Sequence, residues 1–248
     1  MQYSMWPKWT KRTKIPNLPF RPPDDYLRQA MVKSLDAGEV EFDIKLQRQT
    51  DSHLMPIENN AALWPERCKA LVSVSGYLIG SQEANRMPLP PKAELEWWYQ
   101  FYFATERGRA GYEKYTREFS KLIWQIASPK WNFDDATFNR SATAFDNPDY
   151  VAISIHNYRW RLGLANGESQ YDALEKRLGA FPVITVPTIT PEGDANGATH
   201  PEPGSSAKKF SGRYAHRTIE GGIGHNLPQE APQAFARALI DVDRYASS

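Results

Sequence analysis

Three short runs rich in apolar and β-branched residues place the strongest constraint on the fold of this 248-residue chain. The runs cover residues 69–76, 181–190 and 213–220. Runs of this kind are typical of strands that are covered on both faces, as in a parallel sheet. A segment with apolar residues at helical spacing, residues 229–242, follows the third run. The order of these segments predicts an α/β fold.

A long insertion, residues 82–176, separates the first run from the second. Its aromatic-rich stretches ELEWWYQFYF, REFSKLIWQI and VAISIHNYRWRL are predicted to be helices. Two neighbouring parallel strands need a crossover connection, which is usually helical. We therefore expect a helical excursion between the first and the second strand of the sheet.

The N-terminal part differs in character from the rest of the chain. Residues 1–23 are rich in Pro and basic residues and predict an irregular arm. Asp24 and Asp25 are suited to begin a helix that Gly38 ends. The following segment, EVEFDIKLQ, alternates apolar and polar residues as a half-buried strand does. This part therefore predicts one helix and one strand.

The charge balance and the cysteine content exclude several classes of protein. The chain has 30 Lys and Arg against 29 Asp and Glu, which argues against a dedicated nucleic-acid binder. No run approaches the roughly 18 apolar residues of a membrane helix, and the basic start has no apolar signal core, so we expect a cytoplasmic protein. The single cysteine, Cys68, excludes an internal disulfide. The histidines lack the spacing of metal ligands, so we expect no metal.

Two turns carry the candidate catalytic residues. His225 lies in the glycine-rich segment GGIGHNLPQEAP, between a predicted strand and a predicted helix, where a sheet can present a general base. Asp194 lies in GDANG directly after the second strand, where a carboxylate could orient a histidine. The alternatives are a turn histidine that caps the next helix and an ordinary Asx turn. Spacing alone leaves both alternatives open.

Several segments occur in an order that resembles a known family: KALVSVSGY, WWYQFYF, HNYRWRLG, PVITVPTIT, GDANG and GGIGHNLPQEAP. Together they are similar to the C-terminal part of an α/β-hydrolase of the epoxide-hydrolase and haloalkane-dehalogenase branch, over about residues 60–245. The resemblance implies that His225 activates water. It also implies that Tyr99 and Tyr158 hold and protonate an epoxide oxygen, which a phenol can do by donating a hydrogen bond. The substrate expected from it is a small apolar molecule beneath a helical cap, with no organic cofactor.

The chain departs from that family in two ways. The family places its acid in a G-x-x-D turn, and the corresponding residue here is Asn196, whereas Asp194 comes two residues early. The family nucleophile sits in a G-x-S-x-G or G-x-D-x-G elbow, and no such motif occurs in the sequence. Ser75 is no substitute by pattern, because Ser73 stands where the elbow needs glycine. We therefore expect an incomplete α/β-hydrolase sheet, formed by the last three parallel strands, with a helical cap and an unrelated N-terminal helix and strand.

A second, shorter resemblance covers residues 19–66. FDIKLQ followed by MPIENNAALWPE resembles an interior piece of catalase-like haem proteins, without that family's distal histidine or proximal tyrosine regions. No haem is implied, and the chain resembles a fusion of two incomplete genes. The predicted organisation is an N-terminal fragment at residues 1–60, a hydrolase core at 61–81 and 177–248, and a cap at 82–176.

Two functional hypotheses follow. The first is a hydrolase of the epoxide-hydrolase type, with activity reduced by the missing elbow. The second is an inactive remnant or an interaction module, because loss of the elbow strand leaves the run at residues 69–76 with an open parallel edge. EVEFDIKLQ could cover this edge, or a second copy of the chain could form a homodimer through it.

Overall fold

A three-stranded parallel sheet forms the centre of the protein. The computed structural model describes residues 57–198 and 204–247. The strands lie in the order β1 (Leu71–Val72), β2 (Thr188–Gly193) and β3 (Tyr214–Ile219). Both pairs of neighbouring strands are parallel. The α/β fold with three parallel strands that the sequence predicts is confirmed.

The central strand begins later than the sequence predicts. The sequence predicts a strand over the whole run at residues 181–190, yet β2 starts only at Thr188. The residues of the run before β2 make a single isolated bridge, between Ile184 and Phe210. Pro182 and Pro187 have no N–H to donate to a ladder, and Phe181 has a left-handed φ of 51°. These features keep residues 181–187 out of β2. Every residue of β2 is buried, as expected for a central parallel strand.

Helices fill the connection between β1 and β2. The three aromatic stretches of the insertion are helical, as predicted. The helices of the described residues are α1 (Ile57–Leu63), α2 (Pro91–Glu96), α3 (Trp98–Phe103), α4 (Glu106–Lys114), α5 (Thr116–Ala127), α6 (Asp135–Ala142), α7 (Tyr150–Arg161), α8 (Asp172–Gly179), α9 (Leu227–Glu230) and α10 (Pro232–Ala246). Short 3₁₀ turns connect several of them.

The C-terminal helix α10 covers one face of the sheet. Ala238 and Val242 pack with Ile189 of β2 in one apolar cluster. An ion pair joins Arg217 of β3 to Asp241 of α10 at 2.9 Å. The spacing of apolar residues that predicted this helix therefore corresponds to its buried face.

The outer edge of β1 has no neighbouring strand within the described residues. The N–H groups of Leu71, Ser73 and Ser75 all donate to carbonyl oxygens of the β2 segment. Because successive N–H groups along a strand point to opposite sides, the N–H of Val72 points away from β2. The edge that the sequence predicts to be open therefore has no strand partner in this part of the chain.

The helix predicted before Gly38, the strand EVEFDIKLQ and most of the catalase-like segment lie outside the described residues. No helix in residues 57–198 or 204–247 is long and apolar enough to cross a membrane.

Candidate active site

The loop that follows β3 carries His225 and ends at α9. Two glycines near its start, Gly221 and Gly222, have positive φ values of 113° and 82°, which L-residues rarely adopt. The glycines therefore allow the chain to turn sharply at the carboxyl edge of the sheet. We name residues 220–226 the histidine loop.

Asp194 lies at the end of β2 and contacts the backbone of the histidine loop. Its carboxylate accepts hydrogen bonds from the N–H groups of Gly221 at 3.1 Å, Gly222 at 2.8 Å and Ile223 at 2.8 Å. Desolvation raises the pKa of this carboxyl, but the three N–H donors and the charge of Lys130 outweigh it and lower the pKa below its ordinary value. The structure thus brings Asp194 to the loop of His225 through the loop's backbone. A direct role of Asp194 toward the imidazole stays a prediction.

Asn196 lies at the position where the resemblance to the hydrolase family implies an acid. Its side-chain amide donates to Glu192 Oε1 at 2.6 Å, and its Oδ1 accepts the N–H of Ala198 at 2.9 Å. Glu192 is 4% exposed and lies one residue before the end of β2. Sequence reasoning did not single out this buried carboxylate. Its signal was a charged residue inside an otherwise uncharged buried strand, TITPEG.

The end of helix α5 contacts both loops. The carbonyl oxygen of Ala127 accepts the N–H of Gly197, in the turn after β2, and the N–H of His225. Ser128 follows Ala127 and donates to Glu230 Oε1 at 2.7 Å. Neither Ser128 nor Glu230 was recognised from the sequence, although Glu230 falls in the conspicuous segment HNLPQE. The insertion is therefore attached directly to the candidate catalytic loops.

The two candidate tyrosines of the insertion lie side by side. The rings of Tyr99 on α3 and Tyr158 on α7 meet edge to face, with centroids 5.5 Å apart. Tyr158 is only 3% exposed and belongs to an aromatic cluster with Phe103 and Tyr112. The structure thus brings together the two residues that the resemblance paired.

Ser75 follows β1 and has an unusual backbone conformation. Its φ is 68°, and its hydroxyl is buried without a hydrogen-bond partner among the described residues. A nucleophile elbow exposes its side chain to substrate, whereas this hydroxyl is enclosed. Ser75 therefore shares the strained backbone of an elbow but not its exposed side chain.

Two further histidines, His156 and His216, lie within the described residues. His216 on β3 shares a hydrogen-bond network with Thr190 and Tyr214, and His156 is exposed on α7. Nowhere in the described ranges do three or more His, Cys, Asp or Glu side chains converge as metal ligands would. His53 and His200 lie outside those ranges.

Comparison with solved structures gives a clear relationship. The chain is 61% identical to a candidate epoxide hydrolase from Klebsiella pneumoniae, with a TM-score of 0.75 over 76% of this chain and 62% of that protein. This chain has the α/β-hydrolase fold. No protein-family model and no curated protein matches the sequence. The chain spans about three fifths of the length of the Klebsiella protein. The three-stranded parallel sheet of the described residues fits an incomplete α/β-hydrolase fold.

More distant α/β-hydrolases share the fold. A candidate epoxide hydrolase from Pseudomonas aeruginosa is 17% identical, with a TM-score of 0.59 over 89% of this chain and 72% of that one. A candidate α/β-hydrolase from Nostoc is 12% identical, with the same TM-score over 88% and 73% of the two chains. At this level of identity the similarity concerns the hydrolase fold alone.

Proposed function

We propose that the chain is a hydrolase of the epoxide-hydrolase type. In this proposal His225 removes a proton from water, and the water oxygen bonds to an electrophilic carbon of a small apolar substrate beneath the insertion. Tyr99 and Tyr158 donate hydrogen bonds to the oxygen that is released from that carbon. Because the sequence has no nucleophile elbow, we expect turnover well below that of a complete enzyme with a covalent intermediate.

One observation carries the proposal. β2 and β3 end side by side, and Asp194 holds three backbone N–H groups of the loop that presents His225. In α/β sheets the carboxyl ends of the strands are where ligands bind. The identity of 61% with a candidate epoxide hydrolase supports the choice of substrate class.

Hydrolysis of a panel of small epoxides and activated esters by the purified chain tests the proposal. We expect slow turnover that His225→Ala abolishes. His156→Ala is the matched control, because it removes an exposed histidine of the insertion, and it should leave turnover unchanged. Absence of turnover from a folded chain, or turnover that survives His225→Ala, would overturn the proposal.

A second function, protein interaction through β1, is favoured by the outer edge of this strand, which has no strand partner among the described residues. Exposed strand edges pair readily with other strands, and a second copy of this chain is the proposed occupant. Val72→Pro removes an outward N–H without breaking the ladder to β2, whereas Val72→Ala shortens the same side chain and keeps the N–H. We expect sedimentation to show a dimer for the wild type and for Val72→Ala, and a monomer for Val72→Pro. A wild-type chain that stays monomeric at all concentrations would refute this function.

A further inference from the structure

A single carboxylate holds the backbone on both sides of His225. Glu230 Oε2 accepts the N–H of Gly224 at 2.7 Å, and Glu230 Oε1 accepts the N–H of Asn226 at 2.9 Å. Hydrogen bonds to an ionised acceptor are shorter and stronger than those between neutral groups. The residue before and the residue after the candidate base are therefore fixed to the same side chain of α9.

Ser128 connects this arrangement to the insertion. Its hydroxyl donates to Glu230 Oε1 and accepts from both the backbone and the side-chain N–H groups of Asn226, each at 3.1 Å. Ser128 and Asn226 are 1% and 2% exposed, so water does not compete for these bonds. A Cβ on Gly224 would lie 2.5 Å from Ser128 Cα, so only glycine allows this approach.

All six consecutive N–H groups of residues 221–226 have acceptors. Asp194 takes the first three, Glu230 takes those of Gly224 and Asn226, and the Ala127 carbonyl takes that of His225. Asp194 therefore fixes the start of the loop, and Glu230 fixes the part that carries the imidazole. A displacement of about 1 Å in a catalytic group can cost about 100-fold in rate.

We propose that Glu230 is a positioning residue for His225. Its carboxylate sets the place of the histidine Cα in the loop, and its bond to Ser128 makes that place depend on the insertion. This inference rests on the hydrolase function proposed above for its catalytic consequence. The expected effect is on kcat, because the substrate is not contacted by Glu230 in this proposal, and KM should change little.

Two measurements on the full chain test the inference. Amide hydrogen exchange by NMR reports the hydrogen bonds at Gly224 and Asn226 whether or not the chain turns over substrate. Glu230→Gln keeps the size of the side chain and one acceptor oxygen, whereas Glu230→Ala removes both acceptors. Glu220→Gln is the matched control, because Glu220 is exposed at the start of the same loop.

We expect exchange at Gly224 and Asn226 to accelerate at least 10-fold in Glu230→Gln and more in Glu230→Ala, with Glu220→Gln unchanged. Under turnover, kcat should fall about 10-fold and about 100-fold in the same order. Unchanged exchange in Glu230→Gln, or faster exchange with unchanged kcat, would overturn the positioning role. If the wild type shows no turnover, the hydrolase proposal fails by itself, and the exchange measurement alone decides whether Glu230 holds the loop.

Discussion

The carbonyl oxygen of Ala127 accepts the backbone N–H of His225, with an N–O distance of 3.2 Å. The same oxygen accepts the N–H of Gly197 at 2.9 Å. The last residue of α5 therefore lies where the loops after β2 and β3 meet. These two hydrogen bonds depend on the distance between α5 and the two loops, because the Ala127 carbonyl cannot move without its helix.

Gly197→Ala should disturb this contact. A Cβ at this position would lie 2.2 Å from the carbonyl oxygen of Ile126, so the turn must move away from α5. Overpacking of this kind costs about 1–3 kcal/mol of the free energy of unfolding. Urea denaturation measures the loss. Gly80→Ala is the control, since nothing lies within 4 Å of its added Cβ, and it should not destabilise the fold. Equal stability of the two variants would contradict the tight packing at Gly197.

Asp194 should make the histidine loop sensitive to acid. Its hydrogen bonds lower the pKa of the carboxyl in the folded state, so the stability that they supply is present above the unfolded pKa of about 4. That stability is lost as the pH falls through the lower folded pKa. We expect the melting temperature of the wild type to fall more steeply between pH 5 and about pH 3 than that of Asp194→Asn.

Thermal melts of the two proteins across this pH range provide the measurement. Asp146→Asn is a suitable control, because Asp146 is exposed and its ion pair with Arg117 is screened by water. This control should keep the acid sensitivity of the wild type. Parallel pH profiles of the wild type and Asp194→Asn would mean that the charge of Asp194 does not stabilise the histidine loop.

Much of the fold could be predicted because it depends on local patterns. β3 lies within one of the runs that the sequence predicts to be strands, and the insertion helices include its aromatic-rich stretches. The glycine-rich segment around His225 also predicted a turn between a strand and a helix. The start of β2 was predicted wrongly because apolar character outweighed the missing N–H groups of Pro182 and Pro187. Apolar composition alone does not show which part of such a run enters a sheet.

The support of the site could not be predicted, since it joins residues that are far apart in the chain. Ser128 and Glu230 meet across 102 positions, and a buried hydrogen bond leaves no periodic pattern. Glu58 is a similar case, because α1 buries it against Ser73 at the end of β1. Only the folded structure shows that these polar residues face each other.

Glu58 should make stability fall as the pH rises. Burial raises the pKa of this carboxyl to about 8, despite hydrogen bonds with the Ser73 hydroxyl and the Leu78 N–H. The Ser73 hydroxyl also lies 2.8 Å from the Gly76 carbonyl, and its single proton cannot serve both acceptors. A protonated Glu58 resolves this, because its O–H donates to Ser73 and Ser73 donates to Gly76.

The folded state therefore binds a proton that the unfolded state releases above about pH 4.5. The free energy of unfolding should decrease from about pH 5 to about pH 8, by an amount on the order of a few kcal/mol. Glu58→Gln should abolish this decrease, because an amide donates the same hydrogen bond at every pH. Urea titrations at several pH values measure the slope. Glu66→Gln, at an exposed position just after α1, should retain it. A wild-type slope of zero in this range would mean that Glu58 is ionised in the fold.

Tyr158→Phe separates the chemical role of the phenol from the packing of its ring. The variant keeps the edge-to-face contact with Tyr99, so the free energy of unfolding should fall by no more than about 1 kcal/mol, the usual net contribution of a hydrogen bond. If the hydroxyl protonates the oxygen of an opened epoxide, epoxide turnover should fall about 100-fold, whereas an activated ester needs no such acid and should be hydrolysed at nearly the same rate. The ratio of the two rates is the measurement, because a general loss of folded protein would lower both equally.

Tyr112→Phe provides the control. Tyr112 is fully buried in the same aromatic cluster, and its hydroxyl lies 3.2 Å from Ser120 Oγ. No role in the reaction is assigned to it. Its ratio should equal that of the wild type. An unchanged ratio in Tyr158→Phe would mean that the two tyrosines only pack in the core of the insertion and take no part in the reaction.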